Sequence, residues 1–137
     1  MNTGDVLYFS DFKFRDGGHA DKLLVVISDC SKDALVMIIT TSKGKDANAH
    51  GCQPTPKKFF IKGGKHGFPK DTWIDLARPV FVFPKDSITS ALESGKAEVK
   101  MTLSEPVVNE IRNCLVKHAL DSLSREGCEI LSVKPKW

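Results

Sequence analysis

The sequence predicts a mainly β, α+β fold: a small antiparallel barrel or half-barrel of short strands, followed by one helix. Three observations predict it. Short apolar runs, several rich in β-branched residues, recur between residues 5 and 101, and turn-forming residues bound them. Two of these runs, 22–28 and 34–41, are separated by only five polar residues, which is most simply an antiparallel hairpin. One clear stretch of apolar residues at spacings of three and four lies near the C-terminus, over about 104–124.

Each element follows in order. Residues 5–9, DVLYF, read as a strand, and 10–21 as a polar loop around Asp16-Gly17-Gly18. KLLVVIS (22–28) reads as a buried strand, DCSKD (29–33) as its turn and ALVMIITT (34–41) as the next strand. Residues 42–57 carry two glycines and two prolines and read as a long loop, a kind that is usually functional or mobile. KFFIK (58–62) is a short strand and GGKHGFPK (63–70) another turn. TWIDL (72–76) and PVFVF (79–83) are strands, with Pro79 at a strand start. Residues 85–95 suit either a short helix or a loop, and 98–101 a further strand. The helix that follows has Ser104 or Thr102 as cap and Pro106 in its first turn. Val108, Ile111, Leu115 and Ala119 form its apolar stripe, and Gly127 is placed to end it. EILSV (129–133) reads as a last strand or an ordered tail. This helix would close an open end or an exposed edge of the sheet.

The totals narrow the function classes. A chain of 137 residues suits one domain over 1–137, with no internal repeat or low-complexity tract. Charged residues are 27% and the net charge is +3, so an anionic partner is permitted but not announced. The longest apolar runs, Leu23–Ile27 and Leu35–Ile39, are too short to span a bilayer. The start MNTGDVLYF lacks a basic segment followed by a long apolar stretch, so no signal peptide is expected. Four cysteines are too few for a disulfide scaffold at this length. A cytoplasmic protein with reduced thiols and no membrane association is the expectation.

Candidate chemistry is sparse. His50-x-Cys52 with His66 lacks the paired spacing of a zinc site, so no metal or other cofactor is expected. Cys30 lies beside Asp29, which disfavours a thiolate, and Cys114 reads as core. The turn Lys62-Gly-Gly-Lys-His-Gly67 lacks the phosphate-loop pattern and reads first as a solvated hairpin turn. With Lys57, Lys58 and Lys70 it nonetheless forms a basic lobe interleaved with Phe59, Phe60, Phe68 and Trp73. Cations and rings together suit single-stranded RNA, through phosphate contacts and base stacking. Most of those rings should be core; Phe68, in the turn, is the one expected outside.

The stretch FKFRDGGHADK (12–22) places five ionisable residues, Arg15, Asp16, His19, Asp21 and Lys22, in eight positions before the first buried hairpin strand. Antiparallel pairing through the 29–33 turn sets Lys22 opposite Thr40–Thr41. The plain alternative is a polar sheet rim. The functional one is a phosphodiester site: a cation neutralises charge, a hydroxyl positions an oxygen, and Asp16 or His19 moves a proton.

At these residues the sequence resembles the MazF/PemK family of toxin endoribonucleases. The family's G-D-[IV] strand is matched by Gly4-Asp5-Val6-Leu7-Tyr8-Phe9, and its F-P-F-[ST]-D-G loop by Phe12-Lys13-Phe14-Arg15-Asp16-Gly17. Its K/R-R-P and aliphatic strand ending in serine correspond to Asp21-Lys22-Leu23 through Ser28. A strand ending in threonines corresponds to Ile38-Ile39-Thr40-Thr41-Ser42-Lys43-Gly44. Asp71-Thr72-Trp73-Ile74 and Leu103-Ser104 resemble later family positions. The weight lies in order and spacing over most of the chain.

The resemblance implies an SH3-like barrel with a C-terminal helix, usually a homodimer. It implies metal-independent cleavage of single-stranded RNA through the 2′-hydroxyl, and a protein antitoxin as partner. It puts charge stabilisation or acid catalysis on Lys22 and phosphate orientation on Thr40 or Thr41, and Asp16 approximately matches the family's loop acid; His19 is a further catalytic candidate from its place in the loop. Arg15, Lys43, Lys62, Lys65 and Phe68 are the candidate RNA contacts. The family's Arg-Pro is Lys22-Leu23 here, and lysine lacks the planar fork that grips two phosphate oxygens. Arg15 or His19 could compensate. The alternative is a catalytically silent barrel that binds RNA or a protein.

Overall fold

A computed structural model describes residues 1–13, 17–41, 50–53, 57–64 and 66–134. The strands are β1 (Asp5–Lys13), β2 (His19–Val26), β3 (Ala34–Thr41), β4 (Gly51–Gln53), β5 (Lys58–Ile61), β6 (Thr72–Asp75), β7 (Phe81–Pro84) and β8 (Ala97–Thr102). The helices are α1 (Lys85–Ser94), α2 (Glu105–His118) and α3 (Arg125–Leu131), with a 3₁₀ turn at Leu120–Ser122. All strand pairs are antiparallel, in the order β4-β5-β6-β3-β2-β1-β8, and β7 pairs β3 beside this path. The sheet does not close on itself, and the expected mainly β half-barrel with a C-terminal helix is what the chain forms.

The β2–β3 hairpin is the centre of the molecule, and its apolar runs are continuous because both faces are covered. Side chains alternate along a strand. Val25, Ile27, Val36 and Ile38 join one core, with Val107, Val108, Ile111 and Leu115 of α2 and Cys128 and Leu131 of α3. Leu24, Val26, Leu35 and Met37 join the other, with Phe9, Phe12 and Ile88 of α1. Phe12 meets Phe81 edge-on at 5.3 Å, which caps that second core with rings.

The Gly4-Asp5 pair is structural. Gly4 has φ +94° and hydrogen-bonds Val26 O through its N–H, while its carbonyl accepts from Leu103 N. A Cβ there would lie 2.6 Å from Leu103 O, so only glycine lets the start of β1 approach the entry to α2. Asp5 accepts from Thr102 Oγ1 at 2.6 Å and from Asn2 N at 2.8 Å. Ser28 is equally structural: its Oγ accepts the Val36 N–H at 2.8 Å, inside the core. Ser28→Ala strands that buried donor and should cost about 1–3 kcal/mol. Urea unfolding would register this as a lower midpoint at unchanged slope.

Several expectations are corrected. The polar loop expected over 10–21 is shorter, because β1 runs on to Lys13 and β2 starts at His19. An irregularity between Phe9 and Phe12, with Asp11 at φ +56°, lets the hairpin continue past the first apolar run. The expected long loop contains β4, which pairs with β5. Residues 85–94 are helical. The helix expected over 104–124 ends at His118, and Gly127 does not end it. Gly127 lies in α3, where its N–H donates to the N-cap Ser124 Oγ at 3.0 Å. The strand expected over 129–133 is the end of α3, since Cys128 and Leu131, three apart, both turn into the core. The expectation of four reduced thiols also fails: Cys52 and Cys114 form a disulfide, while Cys30 and Cys128 are free. No helix among the described residues is long and apolar enough to cross a membrane.

Candidate functional site

The β2–β3 pairing sets Leu24 opposite Ile39 and Val25 opposite Ile38. Continued two residues outward, the register brings Leu23 to Thr40 and Lys22 to Thr41. The Thr40 hydroxyl donates to Leu23 O at 3.0 Å, in keeping with that register. On its other side Lys22 pairs with Phe9 of β1, and Thr40 and Thr41 pair with Ile74 and Trp73 of β6. Both ends of the hairpin are therefore held by neighbours on two sides.

A cleft of about 300 Å³ opens at this place. Lys22, Thr40 and Thr41 line it, together with Tyr8 and Asp21 and with Phe68, Pro69, Lys70 and Thr72. Thr40 is buried and Thr41 half-buried. Because the Thr40 proton is engaged with a carbonyl of the sheet, Thr40 can offer a ligand only a lone pair.

A chain of polar contacts runs from the cleft along the hairpin. Tyr8 OH donates to Asp21 Oδ2 at 2.8 Å, Asp21 Oδ1 accepts the Asp11 N–H at 2.9 Å, and Asp11 Oδ1 lies 3.0 Å from His19 Nδ1. The Asp11 N–H first, and the Tyr8 hydroxyl second, hold the Asp21 carboxyl below its ordinary range. The same hydrogen bond, donated to Asp21, raises the Tyr8 phenol above its ordinary value. Lys100 Nζ lies 5.4 Å from the Tyr8 ring centroid and also pairs with Glu98. Lys22, Lys70 and Lys100 thus surround Tyr8 and the cleft with positive charge.

Tyr8 is the only tyrosine in the chain, so its phenolate absorbance titrates alone. That titration should lie above the ordinary value of about 10 in the wild type and return toward it in Asp21→Ala. The sign for stability follows from the same pair. The Asp21 contribution is complete above the unfolded carboxyl pKa and fades as pH falls through the lower folded one. The Tyr8 contribution is complete below its unfolded value and fades as pH rises through the higher folded one.

Of the residues expected from sequence, Lys22, Thr40 and Thr41 come together, and His19 lies on the same hairpin, paired with Asp11. Arg15, Asp16, Lys43 and Lys65 lie outside the described residues. Lys62 does not line the cleft; it is exposed, 4.0 Å from Asp71. Phe68 corrects the expectation of an exposed ring: it is 2% exposed and belongs to the first core. The turn folds back on itself through Gly64 N–H to Phe68 O at 2.7 Å, with Gly64, His66 and Gly67 at positive φ, and the ring goes inward. Tyr8, Asp11, Asp21 and Thr72 were missed as site residues. Alternation along β1 and β2 was the available signal for Tyr8 and Asp21.

His50 and His66 are neighbours, with ring centroids 4.8 Å apart, but Cys52 is bonded to Cys114. No group of three His, Cys, Asp or Glu side chains among the described residues could hold a metal as the chain stands.

The arrangement of most of the chain matches solved structures. A crystal structure of MazE-MazF (Form-III) from Deinococcus radiodurans matches with a TM-score of 0.55, covering 90% of this chain and 98% of that chain. The fold is MazF-like. A second MazE-MazF structure (Form-II) from the same organism gives a TM-score of 0.52, covering 90% and 97%. Sequence identity is 16% in both, so the likeness is one of fold. No family model matches its sequence, and no curated protein matches it.

Proposed function

We propose that this MazF-like chain is a toxin-like, metal-independent endoribonuclease acting on single-stranded RNA. The observation that carries the reading is that Lys22 and Thr41 line one cleft together with Lys70, with Lys100 over the ring of Tyr8 in the same cleft. The 2′-oxygen of one nucleotide would attack its own 3′-phosphorus, forming a cyclic phosphate as the 5′-oxygen of the next nucleotide leaves with a proton. Lys22 neutralises the charge gathering on the phosphate, and Thr41 orients a non-bridging oxygen. His19, oriented by Asp11, is the general base or acid of this reading. Arg15, Asp16 and Lys43, outside the described residues, keep the roles expected of them from sequence. Phe68 is withdrawn as a stacking platform, and Tyr8 takes that place.

A homodimer in the cytoplasm, restrained by a protein antitoxin, is the assembly and setting we propose with it. That the structural neighbours are MazE-MazF structures supports the antitoxin part.

Lys22-Leu23 standing where the family has Arg-Pro favours a second reading, a barrel that binds RNA without cutting it. Incubating the folded protein with several long single-stranded RNAs in EDTA separates the two. Fragments ending in cyclic phosphate support the nuclease. Salt-sensitive binding with intact RNA leaves the binding barrel, and neither binding nor cleavage overturns both.

A further inference from the structure

The disulfide between Cys52 and Cys114 joins β4 to α2 across 62 residues of sequence. Directly beside it, His50 Nε2 lies 3.2 Å from Glu110 Oε2. His50 immediately precedes β4 and Cys52 lies within it, and both reach α2. Residues 110 and 114 are four apart on a helix and share a face. The linear sequence lacks the second ligand pair that a zinc site usually has, and the fold brings one further thiol, Cys114 of α2, to the His50-x-Cys52 segment.

His50 carries a further mark. Its Nδ1 is buried and has no hydrogen-bond partner among the described residues, while Nε2 is held by a carboxylate. A metal-bound imidazole has this arrangement: one nitrogen on the ion, the other oriented by a carboxylate. Cys52 is exposed, and an open depression of about 270 Å³ lies over Cys52, Glu110 and Cys114, so reductant and ion both have access.

We propose that reducing this disulfide creates a zinc site, with Cys52 Sγ, Cys114 Sγ and His50 Nδ1 as ligands and Glu110 as the group that positions His50. A dithiol supplies two electrons and two protons and becomes a cyclic disulfide, and the S–S bond becomes two thiols. Zn²⁺ then displaces both thiol protons to solvent, and water fills the fourth position. With Zn–S bonds of about 2.3 Å, the two sulfurs of a tetrahedral site stand about 3.8 Å apart. Side-chain rotation across a Cα–Cα distance of 5.5 Å reaches that separation. The metal would replace the covalent link between β4 and α2 under reducing conditions. The RNA cleft takes no part in this site.

The test uses the full chain with Co²⁺ as spectroscopic probe and Zn²⁺ as competitor. The phosphine-reduced protein should develop thiolate-to-cobalt charge transfer and tetrahedral d–d bands at one equivalent, and the oxidised protein none. Cys52→Ser should abolish them. Glu110→Ala should weaken binding about 10- to 100-fold, His50→Ala at least as much, and His118→Ala should leave it unchanged. Should reduction unfold the chain, Zn²⁺ must restore the native circular dichroism of the wild type but not of Cys52→Ser. Three results overturn the proposal: a reduced protein that takes up no metal and is not restored by it, bands that survive Cys52→Ser, or a His50→Ala variant that binds like wild type. The last would mean chelation by two thiols alone.

Discussion

Replacing Lys22 by alanine should lower RNA cleavage by about 10²–10⁴-fold, the range over which one positioned proton-transfer group acts. The fold should hardly notice. Lys22 is half-buried midway along β2, and its backbone remains paired with Phe9. The loss should therefore fall on kcat in a protein with an unchanged unfolding midpoint. Lys22→Arg separates two roles. If only charge is needed, arginine restores the rate; if Lys22 delivers a proton, arginine restores binding but not turnover, because it does not release its proton. Thr41→Ala should also lose activity. Thr40→Val should chiefly lose stability, because the Thr40 hydroxyl already donates to Leu23 O. Cleavage by Lys22→Ala at the wild-type rate would remove Lys22 from the mechanism.

Breaking the disulfide should cost about 4 kcal/mol of stability in EDTA, by the chain entropy of a cross-link that closes 62 residues. Cys52→Ser with Cys114→Ser is the cleaner form, since it leaves Cys30 and Cys128 untouched. Urea unfolding of the oxidised chain, the reduced chain and this double variant measures it. The cross-linked form should have the higher midpoint and the smaller slope, because its unfolded state stays more compact. Equal midpoints would mean that β4 is held to α2 without help from the sulfur bond.

What could be read in the sequence was what depends on neighbours along the chain. The hairpin of β2 and β3 was legible because two β-branched runs flank a five-residue turn, and its register followed from the turn. Lys22 and Thr41 could thus be brought together on paper. Elements fixed by distant contacts were not legible. β4 is three residues, Gly51–Gln53, with no period of its own, and pairing with β5 and the link to α2 make it a strand. The end of α3 resembles a strand locally, since Ile130, Leu131 and Val133 sit close together, but Ser124 caps a helix and Leu131 packs as part of one. Phe68 looked exposed because it follows a glycine-rich turn; the turn's backbone bond to Gly64 turns it inward. Tyr8 and Asp21 needed the β1–β2 pairing across an irregular register, which composition does not encode.

The position of β3 has a consequence for hydrogen exchange. β3 is bordered by β2 on one edge and, on the other, by β7 along Ala34–Met37 and β6 at Thr40 and Thr41. Opening it requires several pairings to part together, so its amides should exchange only when most of the molecule unfolds. β4, at the end of the sheet with one neighbour, should exchange far sooner once its sulfur link is reduced. The threonines at the cleft thus belong to the slowest-exchanging part of the chain, and deuterium uptake at the cleft floor would report global unfolding instead of local breathing.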